Sequence, residues 1–191
     1  MLSVFCNNIT PLIKNIQQFA KELTMSITVG DKLPDSTLYE YIDEETEGCS
    51  IGPNAFKISD LVKGKKIALF ALPGAYTPTC SAKHLPGYVE KAEELKSKVD
   101  EIWCISVNDA FVMGAWGREN KATGIVRMMA DGGAEFTKTV GMDLDLTARG
   151  LGVRSKRYSM FVDDGVVKSI NLEETPGDLE VSDASTMLSQ V

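Results

Sequence analysis

Four thiols, at Cys6, Cys49, Cys80 and Cys104, and a single imidazole, His84, are the side chains of this sequence best suited to nucleophilic or metal-binding chemistry. Their spacing excludes much of what such groups do together. No two of the cysteines form a Cys-x-x-Cys pair, so with one histidine a structural zinc site has too few ligands. A chain of 191 residues makes a core without staples, which removes the need for a disulfide framework. What remains is a set of isolated thiols in a reducing compartment. The chemistry of an isolated thiol is nucleophilic attack by its anion.

Cys80 stands where that anion is favoured. In Pro73-Gly74-Ala75-Tyr76-Thr77-Pro78-Thr79-Cys80 an apolar run has just ended, a Pro/Gly-rich loop follows, and a helical pattern begins. The first turn of a helix has unpaired N–H groups and a partial positive charge, and a helix mouth with a cation nearby lowers a thiol pKa from ~8.5 by one to several units. Thr77, three residues earlier, brings a hydroxyl close to the sulfur. Position alone leaves a buried, inert cysteine at a tight turn equally open. His84, four residues after Cys80, falls on the same side of a helix. A Cys–His pair of the hydrolase kind would need that imidazole as base and a third group to orient it. The plainer expectation for His84 is a partly exposed polar side chain at the pocket rim.

The elements that must position this loop are legible around it. The run from Ile67 to Leu72 is continuously apolar, which predicts a strand buried on both faces. Leu85, Tyr88, Val89, Ala92, Leu95 and Val99 then form one helical stripe. Residues 101–107 read as a second strand, and Asn108-Asp109 as a cap for a helix through Phe111, Val112, Ala115 and Trp116. Residues 125–130 read as a third strand, and Asp131-Gly132-Gly133 leads into a short helix ended by Gly141. Residues 158–162 and 166–170 form a hairpin around Asp164-Gly165, and Ser182 caps a last helix ending near Leu188. Upstream, residues 35–59 carry hairpin signals, with Gly52-Pro53 as the turn and the acidic residues 43–47 as a solvated face. The order βαβαβα, ββ, α predicts an α/β architecture: a central mixed β-sheet flanked by helices, as in thioredoxin-like folds, with an N-terminal hairpin extension.

Two domains of unequal kind are expected, a leader over residues 1–24 and a compact domain over 25–191. In the leader, apolar residues from Leu2 to Leu23 recur every three or four positions, Thr10-Pro11 looks like a helix start, and Glu22 is the one acidic residue. An acid-poor amphipathic leader suggests a transit peptide, although such leaders are Arg-rich and this one has no Arg. The chain is therefore expected in the cytoplasm, or in the mitochondrial matrix if residues 1–24 act as a transit peptide. The formal charge of −7 argues against nucleic-acid binding, and no apolar run is long enough to span a bilayer.

Pro73-x-x-x-Thr77-x-x-Cys80 resembles the active-site signature of peroxiredoxins. The longer strings PGAYTPTCSAKHLPGY and CISVNDAFVMGAWG are similar to the type II (class five) branch, and the likeness extends over 25–191, including GVRSKRYSMFVDDG. The resemblance implies a thioredoxin-like fold and a thiol-dependent peroxidase acting on hydrogen peroxide and organic hydroperoxides, with no metal and no organic cofactor. It further implies Cys80 as the peroxidatic nucleophile, Thr77 as the group holding the peroxide, and Pro73 as the shield against water. The family's catalytic arginine matches Arg157; Arg149, Arg154 and Lys156 are its competitors by sequence, and strand alternation must decide among them. A homodimer is implied through the face bearing Tyr76 and the helix with Phe111 and Trp116.

The resolving thiol stays open. Cys104 lies in the CISVND segment where some type II members carry a cysteine, and others use a C-terminal cysteine where this chain has Val181. A disulfide needs Cα atoms within about 7 Å, so Cys80–Cys104 pairing calls for unwinding of the helix, which Pro86-Gly87 would ease. The alternative is that Cys104 is a small buried hydrophobe and that glutathione, a glutaredoxin or a thioredoxin resolves Cys80; this is the preferred expectation. A redox relay or holdase on the same scaffold, in which Cys80 passes its oxidation to a partner, is the rival function.

Overall fold

The computed structural model describes residues 26–45 and 48–191, so the leader expected over 1–24, and Cys6 with it, lies outside the described residues. Its centre is the apolar run read from the sequence. Strand β3 (Lys66–Leu72) has β4 (Glu101–Ser106) parallel on one side and β8 (Tyr158–Asp163) antiparallel on the other. Beyond β4 lies β5 (Arg127–Ala130), parallel to it. The hairpin of β1 (Thr37–Ile42) and β2 (Gly52–Lys57) joins β5 through β1. Strand β9 (Val166–Leu172) closes the other edge, giving the order β2-β1-β5-β4-β3-β8-β9. This is the mixed sheet with hairpin extension that the sequence predicts.

Alternation along β3 divides the core into two layers. Ala68, Phe70 and Leu72 join one cluster, with α2 (residues 78–90), α3 (Ala92–Lys96), α4 (Ala110–Glu119) and α6 (Ala184–Leu188) packed over it. Ile67, Leu69 and Ala71 join the other, under α1 (Ile58–Leu61) and α5 (Glu135–Thr139). A strand covered on both faces needs no polar alternation, which is why β3 reads as an unbroken apolar run.

Several boundaries differ from the sequence expectation, each for a physical reason. Gly52-Pro53 opens β2 instead of making the turn; β2 is an edge strand, where a missing N–H costs nothing. Residues 43–45 are exposed, but Asp43 pairs with Arg118 and is not simply solvated. Ile125 and Val126 are bonded back to Ala122, so β5 starts at Arg127. In α4 the buried stripe is Ala110, Met113 and Trp116, while Phe111 is 63% exposed. Asp109 caps this helix by accepting from Val112 N–H at 2.9 Å, worth about 1 kcal/mol. Gly114 lets α4 cross β1 closely: a Cβ there would stand 2.7 Å from Tyr41 Cβ. The final helix is capped by Asp183, not Ser182, whose backbone and hydroxyl are engaged elsewhere. The hairpin turn is as read, with Asp164 at φ 48° and Gly165 at φ 77°, the left-handed pair that a two-residue turn requires. A ribbon of β6 (Asp143–Asp145) and β7 (Val153–Ser155) was not foreseen, its three-residue strands being too short to show a period.

Candidate active site

The loop after β3 delivers Cys80 into the larger core layer. Pro73, Gly74 and Ala75 are buried, and Asn108 Oδ1 holds the loop by accepting from Ala75 N–H at 2.9 Å and from Ser106 Oγ at 2.8 Å. Tyr76 turns the chain in the left-handed region, at φ 62°. Helical backbone then runs over 78–90, with Pro78 in the first turn and the first N–H bond from Ser81 to Thr77 O at 3.0 Å. Cys80 is therefore in the opening turn, as the sequence implied. Over Cys80–His84 the helix widens, with Leu85 N–H reaching back to Cys80 O. Pro86, one residue on, has no N–H to donate, and such widened turns recur at functional sites.

Strand alternation places Arg157, and not its neighbour Lys156, on the side of Cys80. Tyr158, Met160 and Val162 of β8 face the α1/α5 layer, so Arg157, one residue earlier, faces the layer containing Cys80. Arg157 is 2% exposed. Its Nη2 donates to Cys80 Sγ at 3.3 Å and to Pro176 O at 2.9 Å, its Nε to Pro176 O at 3.3 Å, and its Nη1 to His84 Nδ1 at 2.9 Å. Among the described residues no carboxylate lies within ion-pair distance of this guanidinium. Arg149 is exposed, Arg154 Nε donates to Leu151 O at 2.8 Å, and Lys156 Nζ donates to Gly141 O at 3.3 Å, whereas the donor on the cysteine is Arg157.

Thr77 is half-buried beside the pocket, its hydroxyl donating to Gly74 O at 2.9 Å, which leaves the oxygen's lone pairs open. Cys104 lies in mid-β4, opposite Phe70, in the same core layer as Cys80 and fully buried. Burial pushes its thiol well above the usual range, the nearby Cys80 pushes the same way, and Arg157 only partly offsets them. Cys80 and Cys104 are both free thiols. Cys49 is half-buried in the connection before β2, away from these groups in sequence.

His84 corrects the sequence expectation. It is not a rim residue but 1% exposed, with Nε2 on Ser182 O at 3.1 Å and Nδ1 accepting from Arg157. Both nitrogens are occupied, so it is not oriented as a base toward Cys80. Its ring lies 4.9 Å from that of Phe70, which in turn stacks on Tyr88 at 3.9 Å. Burial and then the Arg157 charge lower its pKa to about 3. The unfolded chain binds a proton near pH 6.5 that the folded chain refuses until about 3, so stability is lost as pH falls through that window. His84 is the chain's one histidine, so few other side chains titrate between pH 7 and 5. Chemical denaturation should give about 2 kcal/mol less stability at pH 5 than at pH 7 from this group, and a His84→Asn chain should lack that component. Equal acid slopes in the two chains would refute it.

A thioredoxin-like sheet carrying a buried cysteine at a helix mouth, with a buried guanidinium on its sulfur, defines a protein of thiol redox chemistry. The Redoxin family model matches residues 28–188. The chloroplastic Peroxiredoxin-2E of Arabidopsis thaliana is 55% identical over 80% of this chain, the match spanning 64% of that relative's length. Peroxiredoxin-2B of the same plant is 48% identical over 85% of this chain and 96% of its own. Among solved structures, reduced Prx3 of Vibrio vulnificus in complex with hydrogen peroxide is 46% identical, covers 85% of this chain and 98% of its own, and superposes with a TM-score of 0.77. The chain belongs to the peroxiredoxins, in the type II branch, and is a thiol-dependent peroxidase.

Proposed function

We propose that Cys80 is the peroxidatic nucleophile, reducing hydrogen peroxide and organic hydroperoxides, with Arg157, Thr77 and Pro73 as its immediate catalytic surroundings. One observation carries this reading: a buried arginine without a carboxylate partner among the described residues points an N–H at Cys80 Sγ. A buried cation is costly unless an anion answers it, and the anion within reach is a thiolate joined by peroxide oxygens.

The chemistry follows from that pairing. The Cys80 thiolate attacks the terminal oxygen of the hydroperoxide, the O–O bond breaks, and the departing oxygen takes a proton to leave as water or alcohol. Sulfur is oxidised to a sulfenic acid and the peroxide is reduced. Negative charge moves from sulfur across both oxygens, so a donor fork aimed there acts most strongly in the transition state. The open lone pairs of Thr77 Oγ1 accept the peroxide O–H, which orients the attacked oxygen. Pro73 carries no N–H and closes one side of the sulfur to water.

Resolution is assigned to an external thiol: glutathione, a glutaredoxin or a thioredoxin. The elevated pKa of Cys104 keeps it protonated in the folded chain, and a protonated thiol does not attack. Two chains are proposed to pair through the face with Tyr76 at 52% and Phe111 at 63% exposure, where an apolar pocket of about 270 Å³ lies between Tyr39, Pro53, Phe111 and Gly132. The compartment, cytoplasm or an organelle, turns on whether residues 1–24 act as a transit peptide.

Mass spectrometry after one equivalent of peroxide tests the assignment. The expected product is a chain heavier by about 16 Da, converted by glutathione to a mixed disulfide. A loss of about 2 Da would assign resolution to Cys104, and peroxide consumed only once per chain despite excess thiol would favour the relay. Native spectra of the same sample should show twice the chain mass.

A further inference from the structure

The segment between β9 and α6 touches the groups around Cys80 with three of its carbonyls. Pro176 O accepts from Arg157 Nη2 at 2.9 Å and from Nε at 3.3 Å. Gly177 O accepts from Thr79 Oγ1 at 3.1 Å. Ser182 O pairs with His84 Nε2 at 3.1 Å and accepts from Tyr88 Oη at 3.0 Å. A loop orients its donors only as well as it is itself held. Here one side chain gathers it: Glu173 Oε1 accepts from Glu180 and Val181 N–H at 2.9 Å each, and from the N–H and hydroxyl of Ser182 at 2.8 Å.

Glu173 is also tied to the arginine directly, its N–H donating to Arg157 O at 3.0 Å. The bonds close a ring, from the Glu173 carboxylate through Ser182 and His84 to the Arg157 guanidinium and back along the main chain. Glu173 is 7% exposed, and although burial raises its pKa, the donors from Ser182, Val181 and Glu180 outweigh this and hold the carboxyl below its ordinary range. Four donors on one oxygen suit a carboxylate, which offers charge and only acceptors.

We propose that Glu173 is a positioning residue for the peroxide reaction, fixing the 174–182 loop so that Pro176 and Ser182 hold Arg157, directly and through His84, with Nη2 on Cys80 Sγ. The proposal rests on Cys80 and Arg157 being the reacting pair. It separates from a merely structural role because its effect passes through one guanidinium. Small misplacements of a catalytic group cost large factors in rate. A defect acting through Arg157 therefore disappears once Arg157 is gone, whereas a general loosening of the loop does not.

The test is a double-mutant cycle read by the single-turnover rate constant with hydrogen peroxide. Glu173→Ala is expected to slow that step about 10- to 100-fold, yet by less than about 3-fold in an Arg157→Gln background. Glu173→Gln keeps an oxygen acceptor without the charge; it is read in the same two backgrounds, with a smaller expected loss, and decides the matter if Glu173→Ala does not fold. Equal losses in both backgrounds, or none in either, overturn the proposal while leaving the Arg157 assignment intact. An Arg157→Gln chain as fast as the unaltered one overturns both.

Discussion

A Cys80→Ser chain is expected to lose peroxide turnover by on the order of 10⁴-fold or more, because on the proposed reading it removes the nucleophile and the buried Cys104 does not replace it. Cys80 has a guanidinium N–H on its sulfur at 3.3 Å and sits in the opening turn of a helix. Cys104 is fully buried with a thiol pushed well above its ordinary range, so little of it is anionic at neutral pH. The two single variants should therefore behave oppositely. Cys104→Ser should keep the first oxidation step and glutathione-driven turnover, within about 3-fold if it is only a core residue. Coupled peroxide assays on both chains, with folding checked by circular dichroism, give the comparison. Turnover by Cys80→Ser above a tenth of the unaltered rate would remove Cys80 from its assigned role. Loss of all thiol-driven turnover in a folded Cys104→Ser chain would make Cys104 the resolving residue.

What the sequence made legible was decided by whether a feature leaves a local pattern. The run from Ile67 to Leu72 is apolar at every position because both faces of β3 are covered, so this strand and the layers beside it could be read directly. Asp164-Gly165 was equally readable, since left-handed turns restrict residue choice. The resemblance pointed to Arg157, but which of the adjacent Lys156 and Arg157 turns toward Cys80 needed the register of β8, because alternation along that strand sets the facing of each. His84 was misread. Its helical spacing from Cys80 places it on the same side, but not under the loop that buries it 98 residues later at Ser182. The carbonyls of Pro176, Gly177 and Ser182 left no trace at all, since any residue supplies one. Glu173 offered only a carboxylate in a polar stretch, and its four donors converge on it through a turn that no periodicity announces.

Replacing Arg157 with Gln is expected to slow the single-turnover reaction with hydrogen peroxide by about 10²–10³-fold, the cost of removing a preorganised donor from developing charge. Four of the guanidinium's five N–H groups are already engaged, two on Pro176 O, one on His84 and one on Cys80 Sγ. The fork is thus aligned before peroxide arrives, and no reorganisation is needed during the reaction. Arg157→Lys separates charge from geometry. An ammonium keeps the positive charge but cannot serve Pro176, His84 and the sulfur in one plane, so its rate should fall within about 10-fold of the Gln chain. Stability of the Gln chain should respond far less, because that substitution relieves a buried cation that no carboxylate among the described residues neutralises. Stopped-flow tryptophan fluorescence would follow the reaction, since Trp116 Nε1 donates to Ser81 Oγ at 3.0 Å, next to Cys80. A Lys chain as fast as the unaltered one would make charge alone sufficient, and a Gln chain as fast would leave the sulfur to react without any help from this arginine.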